Sequence, residues 1–475
     1  MKLLKKFAIG VLALLAVLAL IVFIAEASFH RIGSQKLNEV SAQLDTEEPG
    51  WKLDQIEAVR QAARPPDAAN PSVAVLELHA KIGAWWPRHR SSEDGSFGIP
   101  TNRQPAFSQL CWLLAARLET RDVRNAARER LLKPEYLARA GGYYPIEMKE
   151  NPILTLLPHA EKARTMASLL DYDARISTME GDPERGIRSA RAGLVVAKSI
   201  GDEPFLISQL VRIACAKVAT QSALQVLAWS EPKQGLAELQ AELLAEANFP
   251  WLLTGLRGER GMIDKLFQGL ESGAITIEEL EGLGGNVEGS FKKVAFKLYK
   301  GLLPGDHAKA LELLNAYIAA AKLSPTEQVA AMKAIPMPPR PPEDFRYTVA
   351  LMIVPATAKI AEASIRIRAD LLTASAAIAC ERFRIANGRW PTSLAEIPKA
   401  ILPEVPTDPY DGQPLRFQRF EDGIAVYSVG DGKEETVMRR RGNGDPLSHI
   451  GQGWKLWSPE HRGLPAEIPL EIPRP

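Results

Sequence analysis

Gly181-Asp182-Pro183-Glu184 and, about twenty residues on, Gly201-Asp202-Glu203-Pro204 carry the reading of the fold. In each, the glycine suits the left-handed position just past a helix end. The aspartate suits the N-cap of the next helix, and the proline its first turn, where a missing amide costs nothing. Two such stop-and-start signals predict antiparallel helices joined by tight turns over about His159 to Ser230. Ile187 and Leu194, then Leu206, Leu210 and Ile213, recur at helical spacing and supply the inward faces that helix hairpins require. A tetratricopeptide array is not expected, because its 34-residue period does not recur.

Working outward, helical patterns fill residues 72–335, which we read as one helical body. Leu110, Leu113, Leu114 and Leu118 mark a helix near Ala106 to Leu132, and another is expected from Asp306 to Ala321. Between Trp251 and Leu303, glycines including Gly284-Gly285 interrupt the pattern and leave the helix boundaries open. Upstream, residues 28–71 are polar, helical in pieces from Ser28 to about Arg64, and end at Pro65, Pro66 and Pro71, which reads as a stalk. Downstream, Pro336-Met337-Pro338-Pro339-Arg340-Pro341-Pro342 reads as a stiff extended linker over residues 336–342.

At the N-terminus, Lys2, Lys5 and Lys6 precede an uncharged run from Phe7 to Ala25. As a helix that run measures roughly 28 Å, close to the thickness of a bilayer core. It predicts a single-pass transmembrane helix in residues 1–27, with the cationic end in the cytoplasm and the body on the non-cytoplasmic side of the cell envelope. A cleavable signal segment is the alternative, because Ala25-Glu26-Ala27 fits a small-x-small site. The membrane is thus one expected partner. With 46% hydrophobic and 24% charged residues the chain can bury a large core, and a net charge of +1 argues against a nucleic-acid partner. Cys111, Cys215 and Cys380 lie far apart in apolar contexts and read as buried thiols, with one disulfide left open.

Residues 343–450 change character. A long helix from about Phe345 to Ile385 carries Leu371, Leu372, Ala376 and Ile378 and ends at Asn387-Gly388. Leu415 to Gln418 and Ile424 to Tyr427 alternate as strands around the turn Glu421-Asp422-Gly423, and residues 451–475 read as a proline-rich tail. Three stretches stand out: Asn387-Gly388-Arg389-Trp390-Pro391-Thr392-Ser393-Leu394, Pro406-Thr407-Asp408-Pro409-Tyr410-Asp411-Gly412-Gln413-Pro414, and Tyr427-Ser428-Val429-Gly430-Asp431-Gly432. In that order they resemble the C-terminal region of type II secretion major pseudopilins, over about residues 365 to 450. The resemblance implies a long helix leading into a small sheet, and a calcium ion in the loop that follows. Asp431 matches the family's aspartate, with one residue fewer after the glycine, and Asp445 is a candidate later ligand. Arg439-Arg440-Arg441 in the same loop opposes a cation. Unlike family members, this chain has more than 300 residues between its apolar helix and the module, and no glutamate follows Gly10.

The expected fold class is therefore mainly α: a helical-hairpin body after an N-terminal transmembrane helix, with a small C-terminal α+β pseudopilin-like module. Motifs for chemistry are sparse. The histidines form no His-x-x-x-His or His-Glu-x-x-His pattern, and neither a Gly-x-Ser-x-Gly elbow nor a phosphate loop is found. Asp408-Pro409-Tyr410-Asp411-Gly412 has the composition of a turn. Asp171 and Asp173, two apart on a helix, point to different faces, while Glu259-Arg260 and Glu381-Arg382 suit helix surfaces or interhelical ion pairs. No catalytic residue and no cofactor other than calcium is assigned. The expectation is an envelope protein with a binding or scaffolding role and protein partners there. The alternatives are a divergent secretion-system component and an exported hydrolase with its cleft in the helical body.

Overall fold

The computed structural model describes residues 2–83, 117, 120–276, 279, 299–340, 343–354, 357–430 and 452–463. It is mainly helical, with a small antiparallel sheet near the C-terminus. Helix α1 spans Lys2–Glu47, α2 Leu53–Ala62, α3 Pro71–His79 and α4 Arg121–Leu131. At the centre, α5 (Pro158–Met179), α6 (Pro183–Ser199) and α7 (Leu206–Trp229) pack mutually, each against the other two. The first turn between them forms as its residues demand: Gly181 has φ of +83°, and Asp182 accepts the Arg185 amide at 2.9 Å ahead of Pro183. The second departs from expectation. Gly201 does take positive φ, at +64°, but α7 starts at Leu206 after Phe205, so neither Asp202 nor Glu203 caps it. Asp202 instead pairs with Arg60 at 3.1 Å, and Glu203 turns inward to His159.

After α8 (Leu236–Ala247), the first part of the glycine-interrupted stretch forms an unbroken helix, α9 (Trp251–Ser272), and Gly284-Gly285 lies outside the described residues. Helices α10 (Leu303–Ala321) and α11 (Pro325–Lys333) follow, then α12 (Thr348–Ile353) and α13 (Thr357–Asn387). Strands β1 (Arg416–Phe420), β2 (Gly423–Ser428) and β3 (Gln452–Trp457) form the sheet in the order β1-β2-β3. Arg416 stands opposite Tyr427, and Gly423 opposite Trp457. The third strand falls where a tail is expected; β2 and α13 both pack against it.

The main apolar core runs from Ala74 and Val75 through α5, α6 and α7 to Leu371, Ile378, Ile424 and Leu456. It therefore draws on residues from both sides of the proline-rich 336–342 stretch. A second core joins α9, α10 and α12 through Leu256, Phe267, Leu314 and Val349. Cys215 and Cys380 are both buried, and Cys111 lies outside the described residues.

The N-terminal expectation is corrected. Among the described residues no helix is long and apolar enough to cross a membrane. The single-pass transmembrane or signal-anchor segment at residues 1–27, the membrane as partner through it, and the body's placement on the non-cytoplasmic side are therefore not supported. The apolar run is the opening of a 46-residue helix whose later turns carry Glu26, His30, Arg31, Lys36 and Glu39. Those later turns, expected as a stalk, dock on α10. Gly33 passes so close that a Cβ there would sit 2.5 Å from the Gly305 amide nitrogen. Val40, Leu44, Trp51 and Leu311 close a small core below that crossing.

Candidate ligand-binding pocket

Asp264, Phe267 and Glu271 recur three and four residues apart on α9, so they share one helix face. Opposite them, at the start of α10, stands His307. Its Nε2 lies 3.1 Å from Asp264 Oδ1 and its Nδ1 3.2 Å from Glu271 Oε1. The ring stacks on Phe267 at 4.9 Å, with 6° between planes. Carboxylates facing both ring nitrogens favour the doubly protonated imidazolium. Burial works against that charge, yet Asp264 and Glu271 outweigh it and raise the His307 pKa.

Glu271 also faces outward, into a cavity of about 350 Å³ that α1 closes with Phe23, Glu26 and His30 and that Lys300 and Leu303 line from the opposite side. The cavity thus gathers two carboxylates, an ammonium and an imidazole around apolar walls. Its size lies at the lower end of the small-molecule range, about 300–1,000 Å³. Beside His307, the fully buried Asp306 accepts the Tyr299 hydroxyl at 2.6 Å and the Val349 and Ala350 amides at 2.9 and 3.1 Å. Burial pushes its pKa up to about 6, against those hydrogen bonds. Glu259, elsewhere on α9, is raised to about 7 by burial, against a hydrogen bond from the Leu206 amide at 3.1 Å.

A second polar cluster resembles catalytic machinery in composition only. His159 Nε2 lies 2.7 Å from Glu203 Oε1, Tyr144 stacks on the imidazole at 4.4 Å, and the Tyr144 hydroxyl lies 3.0 Å from Ser199 Oγ. Ser72 donates to the Ser199 carbonyl at 2.7 Å. All five side chains are buried, so a substrate atom has no approach, and the cluster ties α3, α5 and α6 together.

The residues singled out in the sequence fall apart spatially. Asp173 sits between Arg124 and Arg128, whereas Asp171 meets Arg175 and Ser222. Arg260 reaches Glu48 at 2.6 Å, and Glu381 is held by Arg384 and Arg462, each at 2.8 Å. Asp408 is fully buried and organises its turn. It accepts Ser428 Oγ at 2.8 Å, the Val429 amide at 2.9 Å, the Tyr410 amide at 3.0 Å and Arg416 Nη1 at 2.9 Å. The calcium candidates Asp431 and Asp445 lie outside the described residues. Among the described residues, no group of three or more His, Cys, Asp or Glu side chains could hold a metal ion. No sequence motif pointed to this cavity, because its groups come from α1, α9 and the turn that leads into α10.

Comparison with protein-family models, curated proteins and solved structures gives no match.

Proposed function

We propose that this chain is a binding and scaffolding protein whose helical body holds a small zwitterionic or amine-bearing ligand in the cavity between α1, α9 and α10. The observation that carries this reading is a separation. The carboxyls raised by burial, Asp306 and Glu259, are taken up by protein donors and do not line the cavity, whereas the cavity presents a mixed set of Glu26, His30, Glu271 and Lys300. A general acid or base belongs within hydrogen-bond reach of its substrate, with its pKa tuned toward the working pH. A mixed-charge pocket suits recognition instead, Glu26 and Glu271 facing a ligand ammonium and Lys300 a carboxylate. The same separation weighs against the hydrolase alternative.

The C-terminal part fits a pseudopilin-like scaffold module. Its support is the order of motifs from Asn387 to Gly432 together with a long helix, α13, against which β2 and β3 pack. Trp390 donates to Ser458 Oγ at 2.9 Å, joining the end of that helix to the residue after β3.

The test is thermal denaturation of the full chain against a panel of amino acids and small diamines. A ligand at a hundredfold excess over its Kd stabilises by about 2.7 kcal/mol. A saturable rise in Tm that is lost in Lys300→Met or Glu26→Gln is expected. If no compound on the panel raises Tm, or if the rise survives both substitutions, the reading fails.

A further inference from the structure

Away from that cavity, a smaller pocket of about 140 Å³ is lined by Arg117, Arg121, Arg124, Asn125, Glu180 and Arg185. Among the described lining residues, four guanidinium groups face a single carboxylate. Arg124 is buried and fully engaged, donating to Asp173 Oδ1, to Thr120 Oγ1 at 2.9 Å and to the Arg117 carbonyl at 2.7 Å. Asp173 is shared with Arg128, so it does not cancel the charge that Arg124 brings to the pocket floor. Glu180 takes Arg117 Nε at 2.7 Å and also Arg185, whose Nε donates to Ser177 Oγ at 2.8 Å. Asp182 stands further off, 4.0 Å from Arg185.

These bonds leave the terminal nitrogens of Arg117 and Nη1 of Arg185 without an acceptor among the described residues. The exposed Arg121 has no ion-pair partner among them either. Arg121, Arg124 and Asn125 belong to the first two turns of α4, an 11-residue helix, so its positive dipole end adds to the same potential. Excess cationic charge with unused N–H donors in a concave wall is the chemistry that binds tetrahedral oxyanions, and guanidinium forks match them bidentately.

We infer that this pocket is an anion site for a small tetrahedral oxyanion, either inorganic phosphate or the phosphoryl group of a small molecule. The volume admits the phosphoryl group and leaves the remainder of any larger ligand outside. Arg117, Arg121 and Arg185 contact the anion, and the buried Arg124 fixes the positive floor. Glu180 orients Arg117 and Arg185 from the wall, and its charge limits the affinity.

The experiment is calorimetric titration and thermal denaturation of the full chain with inorganic phosphate, sulfate, chloride and acetate at constant ionic strength. Phosphate and sulfate are expected to bind saturably and raise Tm, and chloride and acetate to do neither. Arg121→Gln removes an exposed side chain with no ion pair among the described residues, so the fold is retained. It should weaken phosphate binding at least tenfold, and Arg117→Gln should do the same. A phosphorylated small molecule titrated in parallel separates the two sources: tighter binding than inorganic phosphate assigns the site to the phosphoryl group of a larger ligand. Lys300→Met, in the other cavity, should leave phosphate binding unchanged whether or not the amine-binding reading holds. Equal response to all four anions, or full phosphate affinity in Arg121→Gln and Arg117→Gln, would overturn the inference.

Discussion

Glu48, just past the end of α1, should be among the strongest single anchors between that helix and the rest of the protein. Its Oε1 takes Arg257 Nη2 at 3.1 Å and also Lys322 Nζ, while Oε2 takes Arg260 Nη2 at 2.6 Å. One carboxylate thereby joins α1 to both α9 and α10. Burial opposes its charge, but hydrogen bonds from Lys322, Arg260 and Arg257 overcome this and bring its pKa from 4.5 down to about 2. The folded state then binds fewer protons than the unfolded chain between those two values, so stability rises with pH across that window. At about 1.4 kcal/mol per pKa unit the carboxylate contributes at most about 3 kcal/mol at neutral pH, and roughly 2 kcal/mol once solvent screening of its exposed edge is allowed for.

Glu48→Gln keeps the shape and removes the charge, leaving Arg260, only 2% exposed, with Asn315 as its remaining partner at 2.9 Å. Arg257 and Lys322 are nearly half exposed and rehydrate. Urea unfolding at pH 7 should show the variant destabilised by about 2–3 kcal/mol. At pH 3, where the parent has lost most of this contribution, the gap should narrow to about 1 kcal/mol. Amide hydrogen exchange should quicken first in residues 40–47. A gap of the same size at both pH values, or one below about 0.5 kcal/mol at pH 7, would refute the assignment of the anchor to this charge.

Two further substitutions have opposite signs. Glu259, raised from 4.5 to about 7, makes the folded state bind more protons between those values, so stability is lost as pH rises through them. Glu259→Gln should therefore match the parent below pH 4 and exceed it by about 2–3 kcal/mol above pH 8, read from denaturation midpoints across pH. Asp408→Ala removes the acceptor of four donors and leaves Arg416 with Asp411 as its remaining acidic partner, so a loss of about 3–5 kcal/mol and early proteolysis between 407 and 430 are expected.

Local signals were legible where the backbone itself sets the answer. Gly181-Asp182-Pro183 specifies its turn through φ, a cap and a missing amide, and the β1–β2 hairpin follows from alternation around a glycine. The second turn misled because Asp202 and Glu203 answer to distant partners, Arg60 and His159, which local chemistry does not reveal. Strand β3 was hidden for the same reason: Gln452 to Trp457 becomes a strand through pairing with β2, about thirty residues earlier. The run from Phe7 to Ala25 was read by length and apolarity alone, and the residues after it as helical in pieces, so the single continuous helix to Glu47 was missed. Of the two pockets, the cavity at Glu271 left one indirect trace, the acidic residues Asp264 and Glu271 seven apart on α9, both held by the neighbouring His307. The arginine pocket left a plainer one: Arg117, Arg121, Arg124 and Arg128 recur at helical spacing.

That arginine run bears on function because of how the chain treats its other buried charges. Arg212 is forked onto Glu246 at 2.7 and 2.8 Å, Arg462 onto Glu381 at 2.8 Å at both nitrogens, and Arg191 onto Glu242. Each pair joins separate elements; Arg212 and Arg191 each face a carboxylate of their own, and Glu381 is shared with the buried Arg384, which Glu231 also takes. Breaking such a pair costs several kcal/mol, which ties helix register to charge matching. Around Asp173 and Glu180 the matching loosens: among the described residues Arg117, Arg124, Arg128 and Arg185 share these two carboxylates, with Asp182 a more distant third at 4.0 Å from Arg185, and Arg121 beside them has none within ion-pair distance. A surface lysine left unpaired would mean nothing, since water solvates it. Guanidinium groups crowded around one small concavity repel one another, and an oxyanion seated among them would relieve that repulsion. The arginine pocket should therefore gain stability on binding phosphate, whereas the matched pairs elsewhere have no charge left to offer.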